Sequence, residues 1–191
     1  MLFLIAFFAA LTPGVDLFYV VRNGICNGLK GGLSAAFGIL SGNAVYVFLS
    51  VVGVGGVIGK YKVFMIGVLI FGGIYLLKIA KELFYEKVEF RESCENDGLF
   101  EIYKRGLLLN LSNPKAMIFF SVIITPYLDK NALFSAFSLY GGVFCAFVLA
   151  AVVSGSLGVR KEYFEVINKI SAFLFFVFGI RLLIEGVLLV R

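Results

Sequence analysis

Two side chains of opposite charge, Asp16 and Lys115, stand inside long apolar stretches of the chain. A charge at the centre of a membrane helix costs at least about 2.5–3.5 kcal/mol on insertion scales, so such residues are normally paired or face water. A carboxylate binds an ammonium group, and an ammonium group binds a carboxylate. The two charges therefore predict a site for a small molecule that carries both, with a purely structural ion pair as the alternative.

A proline accompanies each of these charges. Proline removes one backbone N–H and clashes with the carbonyl four residues earlier, which belongs to Ala9 in the first stretch and to Asn110 in the second. A freed carbonyl at membrane depth is tolerated only where protein or water meets it. We therefore expect polar backbone groups at both helix breaks, which comprise Pro13 and Gly14 in the first stretch and Asn113 and Pro114 in the second.

Helix geometry places the two charges at similar depth. At ~1.5 Å rise per residue, Asp16 lies ~9 Å from the inner edge of its stretch and Lys115 ~12 Å from the inner start of its own. Asn43 lies ~17 Å from the inner end of another stretch, and its amide can bind substrate or a neighbouring helix. The predicted substrate-binding set consists of Asp16, Asn43, Asn113 and Lys115.

The apolar stretches that carry these residues are typical of membrane helices. The chain of 191 residues is 61% hydrophobic, with a mean hydropathy of +1.00, and a soluble domain of this size could not bury that much apolar surface. Because lipid satisfies no backbone hydrogen bonds, we predict an all-α integral membrane protein. Its six transmembrane helices are predicted over residues 2–21, 32–58, 63–80, 107–127, 132–157 and 167–190.

The distribution of lysine and arginine predicts the orientation. The connections after the first, third and fifth spans carry eleven of these residues and the opposite side carries four, which places the richer side in the cytoplasm and both termini outside. The charged segment 81–105 is then a cytoplasmic linker between two three-helix repeats, residues 1–80 and 106–191. An odd number of spans in each repeat makes the second inverted relative to the first, a transporter architecture with its site at broken helices.

The composition argues against several other kinds of site. The chain has no histidine, and Cys26, Cys94 and Cys145 form no C-x-x-C motif, so we predict no metal, cofactor or catalytic site and interpret the cysteines as small, mostly buried residues. The net charge of +5 reflects membrane orientation rather than nucleic-acid binding. The predicted partners are a small-molecule substrate and the lipid bilayer, and the sequence leaves a homo-oligomer open.

Three motifs resemble the LysE/RhtB family of amino-acid exporters: TPGVDLFYVVRNGICNGLKGGLSAAFGILSGN, FGGIYLLKIAKELF and GLLLNLSNPKAMIFF. The resemblance implies six transmembrane helices in the bacterial inner membrane and export of amino acids or small derivatives driven by the proton-motive force. It points to the same residues in the two breaks. The sequence departs from the family at Val15, where a second proline is usual, and at Asn43, where many members have aspartate.

Three other interpretations are compatible with a six-helix membrane protein. A membrane-embedded thiol oxidoreductase would need cysteines in the first and fourth spans, where this chain has none. An ion exporter would favour histidine or more carboxylates inside the membrane. A membrane scaffold without transport would leave the two breaks unexplained, so an exporter that is not an enzyme is the favoured interpretation.

Overall fold

The computed structural model describes residues 1–54, 62–85, 97–124, 128–156 and 161–190. These described segments are almost entirely helical, and the predicted all-α membrane fold is confirmed. The helices are α1 (Leu2–Leu11), α2 (Val15–Leu49, followed by a π-helical turn, Ser50–Val54), α3 (Lys62–Tyr85), α4 (Leu99–Leu111), α5 (Pro114–Ile124), α6 (Leu128–Ser156) and α7 (Lys161–Val190).

Three helical stretches in the described segments are long and apolar enough to cross a membrane alone: Val15–Val52, Asn131–Ser156 and Lys169–Leu189. Leu99–Leu111 and Lys115–Ile124, bent by 63° at their junction, add a fourth if they form one broken span. The six-span pattern and its two inverted repeats stay a prediction.

The first break divides the chain differently from the predicted spans. Helix α1 ends at Leu11, and α2 then runs through residues 22–31, which separate the first two predicted spans, as far as Leu49. Side-chain amides support the helix in this more polar region, since Asn23 donates to the carbonyl of Tyr19 at 2.8 Å. Only Gly28 departs from helical geometry, with φ 64° and ψ −167°, a left-handed conformation that favours glycine. The segment of low hydropathy between the first two predicted spans therefore contains the kink of α2, at Gly28.

Four pairs of helices make the large packing contacts. Helix α1 packs against α6, α4 packs against α2, and the pairs α2–α6 and α3–α7 make the other large contacts. Glycines make these approaches possible, because a Cβ at Gly38 would overlap the backbone of Tyr103 in α4 and a Cβ at Gly142 would overlap that of Phe3 in α1. Small residues at helix interfaces are typical of membrane proteins.

The outer surface is apolar, as expected for a protein surrounded by lipid. Phe71 and Phe137 are each 76% exposed. The charged segment predicted over 81–105 is helical at both described ends, where it completes α3 and begins α4. Near the start of α4, Lys104 pairs with Glu101 at 2.7 Å. Residues 86–96, in the middle of this segment, lie outside the described residues.

Candidate substrate site

The first helix break is closed by Thr12. Its backbone is extended (φ −64°, ψ 135°), and its hydroxyl donates to the carbonyl oxygen of Ala9 at 2.6 Å. The Thr12 N–H also donates to this oxygen, at 3.3 Å. The expectation that Pro13 leaves the Ala9 carbonyl free was therefore wrong, because the preceding threonine folds back and satisfies it.

The second break is an N-terminal cap. The side-chain oxygen of Asn113 accepts a hydrogen bond from the backbone N–H of Lys115 at 3.0 Å, which is how asparagine stabilises the start of a helix. Pro114 is the first residue of α5, a position where the missing N–H is not needed. The motif Asn-Pro-Lys thus ends α4 and begins α5 within two residues.

The carbonyls at the end of α4 are also satisfied. The oxygen of Asn110 accepts from the N–H of Asn113 at 2.9 Å. The hydroxyl of Tyr46 donates to the neighbouring carbonyl of Leu111 at 2.7 Å and lies 3.3 Å from the oxygen of Asn110. The predicted free carbonyl at Asn110 was wrong for the same reason as that at Ala9, and the polarity of the site comes from side chains.

Asp16 is the centre of an amide network. Its Oδ2 accepts from Nδ2 of Asn110 at 2.7 Å and from Nδ2 of Asn113 at 3.1 Å. Nδ2 of Asn110 also donates to Oδ1 of Asn43 at 3.0 Å. Asn110 and Asn43 are 0% and 2% exposed. Within the described part of the chain, Oδ1 of Asp16 and Oδ1 of Asn110 are buried and have no hydrogen-bond partner.

Lys115 brings a positive charge to the same place. Its ammonium group lies beside the first break, 3.9 Å from the position that a Cβ on Gly14 would occupy. It is also close enough to act electrostatically on the carboxylate of Asp16. The direct hydrogen bonds to Asp16 come from Asn110 and Asn113, while Lys115 contributes its charge.

These groups line one cavity of about 620 Å³, within the range typical of small-molecule sites. It is lined by every residue predicted for the site and the breaks whose side chain the structure describes: Pro13, Gly14, Asp16, Asn43, Asn113 and Lys115. Its apolar wall comes from α5, α6 and α7: Phe119, Phe120, Val143, Phe147 and Phe175. The last turn of α3 adds Glu82 and Tyr85. The cavity thus joins two opposite charges to an aromatic wall.

The sequence analysis did not predict the roles of the Asn110 and Tyr46 side chains, which hold the site together. Asn110 is an amide inside the apolar stretch LLLNLSNP, and that composition was the available signal. The interpretation of the cysteines as mostly buried was wrong for Cys145, which is exposed. Cys26 is partly buried and disulfide-bonded, and Cys94 lies outside the described residues. Among the described residues, no three Asp, Glu or Cys side chains gather into a set that could hold a metal ion.

Known proteins resemble this chain over nearly its whole length. A leucine efflux protein from Klebsiella pneumoniae is 32% identical, and the match covers 93% of this chain and 90% of the relative. Leucine efflux proteins from Enterobacter sp. and from Salmonella typhimurium are 30% and 28% identical over the same shares. No solved structure matches the chain. The family described as LysE type translocator matches residues 7–186, and the chain therefore belongs to this family of membrane translocators.

Proposed function

We propose that this protein exports α-amino acids with apolar side chains, L-leucine first among them, across the bacterial inner membrane at the expense of the proton-motive force. The observation that carries the proposal is the cavity that holds Asp16 and Lys115 at the two helix breaks. The names of the leucine efflux relatives agree with it.

The two charges fit the two ends of an amino acid. Asp16 offers its buried Oδ1 to the substrate ammonium, since Oδ2 is already bound by Asn110 and Asn113. Lys115 offers its ammonium to the substrate carboxylate. It stands in the first turn of α5, where the helix dipole also favours a negative charge.

The rest of the cavity fits an apolar side chain. Phe119, Phe120, Phe147 and Phe175 line it on the side of α5, α6 and α7, and aromatic rings of this kind stabilise aliphatic groups by burying them from water. No histidine is present in the sequence, and Glu82, at the end of α3, is largely exposed. An amino acid with a charged side chain would therefore bury that charge against rings.

The packing supports two inverted repeats, residues 1–80 and 106–191. If α1 is equivalent to α4, and the second half of α2 to α6, the contact of α1 with α6 becomes the counterpart of the contact of α4 with α2. The remaining large contacts, α2–α6 and α3–α7, then join equivalent helices. A site built from two broken helices near the repeat interface is the arrangement of many secondary transporters.

Substrate analogues that lack one charge test the zwitterion site. Inverted membrane vesicles should accumulate labelled L-leucine when energised. 4-Methylpentanoate, which lacks the amino group, and 3-methylbutylamine, which lacks the carboxylate, should each compete at least about 30-fold more weakly, because loss of one partner of a buried charge pair costs about 2 kcal/mol or more. Equal competition by either analogue would show that one of the two charges plays no part in binding.

A variant without cysteine separates transport from thiol chemistry. Replacing Cys26, Cys94 and Cys145 together by serine should leave the rate of leucine export per folded molecule within about twofold of the wild type, because the two described cysteines, Cys26 and Cys145, do not line the cavity. Transport should be normalised to the amount of protein in the membrane, since loss of the Cys26 disulfide lowers stability on its own. Loss of transport from a variant that is present at normal level would instead indicate a redox function.

A further inference from the structure

We propose that Oδ1 of Asp16 is also the proton-binding position of the transport cycle, where a proton and the substrate ammonium exclude each other. The inference rests on the proposed function, because it assigns the coupling step to the atom that is proposed to bind the substrate. It explains how a proton and the substrate exchange at one atom, without a separate binding site for the proton.

The two oxygens of this carboxylate have different surroundings. Oδ2 accepts two amide hydrogen bonds, from Asn110 at 2.7 Å and from Asn113 at 3.1 Å. Oδ1 is buried and no described residue donates to it. A buried carboxylate oxygen without a donor is costly, and this cost is removed when the oxygen binds either a proton or a cation. Because both amides bind Oδ2, Oδ1 is the oxygen that is left to bind a ligand.

The charged and titratable groups near Asp16 come from three helices. Lys115 in α5 acts on it through space, and Tyr46 belongs to the same helix as Asp16, α2. Glu82 and Tyr85 in α3 line the same cavity. The cavity residues of α1, α6 and α7 are alanine, valine and phenylalanine. Of the described cavity residues, Asp16 and Glu82 are therefore the two carboxylates able to exchange a proton with the cavity.

The exchange balances without any further reactant. The protonated carboxyl of Asp16 loses the proton from Oδ1 to water in the cavity, and the resulting carboxylate accepts the ammonium of the incoming amino acid. On release the ammonium departs intact and a proton from the opposite side takes its place. Because Oδ1 holds one of the two at a time, inward movement of a proton accompanies each outward movement of substrate.

Calorimetry with L-leucine on the purified protein measures this exchange directly. Titrations between pH 5 and pH 8, in two buffers of different ionisation enthalpy, should show release approaching one proton per leucine on the acid side. On that acid side the apparent Kd for leucine should rise roughly tenfold for each unit by which the pH is lowered, because the proton competes with the substrate. Glu82→Gln tests the other carboxylate of the cavity, and its proton release should equal that of the wild type if Asp16 binds the proton. Glu101→Gln on α4, an exposed carboxylate that pairs with Lys104, is the control.

Infrared difference spectroscopy identifies the carboxyl group without requiring a variant to bind leucine. Acidification of the empty protein should produce a protonated-carboxyl band that is present in the wild type and Glu82→Gln and reduced in Asp16→Asn. Leucine should remove this band in the first two proteins. A band that survives in Asp16→Asn and disappears in Glu82→Gln would overturn the assignment.

The remaining outcomes separate the two proposals. Leucine binding without proton release at any pH would contradict the assignment of the proton to Oδ1 of Asp16, but it would not contradict the proposed export of leucine. Binding that depends on Na⁺ rather than on pH, tested against choline at constant ionic strength, would also contradict this assignment. Absence of leucine binding to folded wild-type protein would remove the proposed function itself and the inference with it.

Discussion

Asp16→Asn is expected to leave the protein folded and to lower leucine export at least about 30-fold. The asparagine oxygen can still accept from Asn110 and Asn113, so the amide network that joins α2 to α4 is kept. What disappears is the negative charge that faces the substrate ammonium, and removal of one partner of a buried charge pair costs about 2–5 kcal/mol, or roughly 30- to 4,000-fold in affinity. Export from vesicles and thermal unfolding of the purified protein measure the two effects separately.

Asp16→Ala is the informative partner of this variant. It removes the acceptor as well as the charge and leaves the donors of Asn110 and Asn113 without it, at a cost of about 1–3 kcal/mol for each buried group. Asp16→Ala should therefore unfold at a clearly lower temperature than Asp16→Asn, although both fail to export. Glu101→Gln, an exposed carboxylate on α4, should retain both stability and transport. Equal stability of the two Asp16 variants would show that the network does not support the fold.

Combining Asp16→Asn with Lys115→Met tests whether the two charges also stabilise each other. Lys115→Met alone leaves a carboxylate without the nearby positive charge, whereas the double variant removes both charges. We expect the double variant to be more stable than the sum of the single effects predicts, and still unable to export. Recovery of transport in the double variant would show that Asp16 and Lys115 form a structural ion pair and do not bind substrate. Strictly additive stabilities would show that the two residues do not interact.

Gly42→Ala is expected to lower export by about 10- to 100-fold although Gly42 contacts no substrate. A Cβ at this position would overlap Oδ1 of Asn110 and lie 3.0 Å from its Cγ. The buried amide must rotate, which separates its Nδ2 from Asp16 and from Asn43. Loss of these two hydrogen bonds from a buried amide costs about 1–3 kcal/mol. Without the bond from Asn110, the carboxylate of Asp16 shifts from its position in the cavity. The measurement is leucine export normalised to the amount of folded protein.

Two other glycines provide controls for Gly42→Ala. Gly67→Ala in α3 should be neutral, because a Cβ there would meet nothing within 4 Å. Gly38→Ala, one helical turn before Gly42, would overlap the backbone of Tyr103 and Leu107 in α4, and backbone cannot move aside as a side chain can. It should therefore reduce stability more than Gly42→Ala does. If all three variants transport equally, the position of Asn110 does not matter for export.

The sequence predicted those parts of the site that violate a local rule. A charge inside an apolar stretch and a proline inside a helix are each costly on their own, so Asp16, Lys115 and the breaks beside them could be recognised without a structure. Asn110 breaks no such rule, because an amide in a membrane helix often bonds a neighbouring helix. Its partners lie 67 and 94 residues away, and no local pattern encodes that distance.

Two errors have specific physical causes. The carbonyl of Ala9 was expected to be free because the effect of Pro13 was considered alone, whereas Thr12 supplies both a hydroxyl and an N–H at the same place. The first span was expected to end near Val21 because hydropathy falls there, whereas the helix continues to the interruption at Gly28. Low hydropathy lowers the affinity of a segment for lipid, but it does not by itself end a helix. The cavity arises from packing between helices and has no signature in any single one.

The distance along the chain between Asp16 and its amide partners affects biosynthesis. Asn110 and Asn113 follow Asp16 by 94 and 97 residues, so at about 5–20 residues per second the ribosome needs roughly 5–20 s to supply them. During that time the first half must wait in or beside the insertion machinery with a carboxylate whose donors have not yet been made. A variant of Asn110 should therefore act on a segment synthesised long before it, and a defect encoded in α4 would be seen as failed retention of α2 in the membrane.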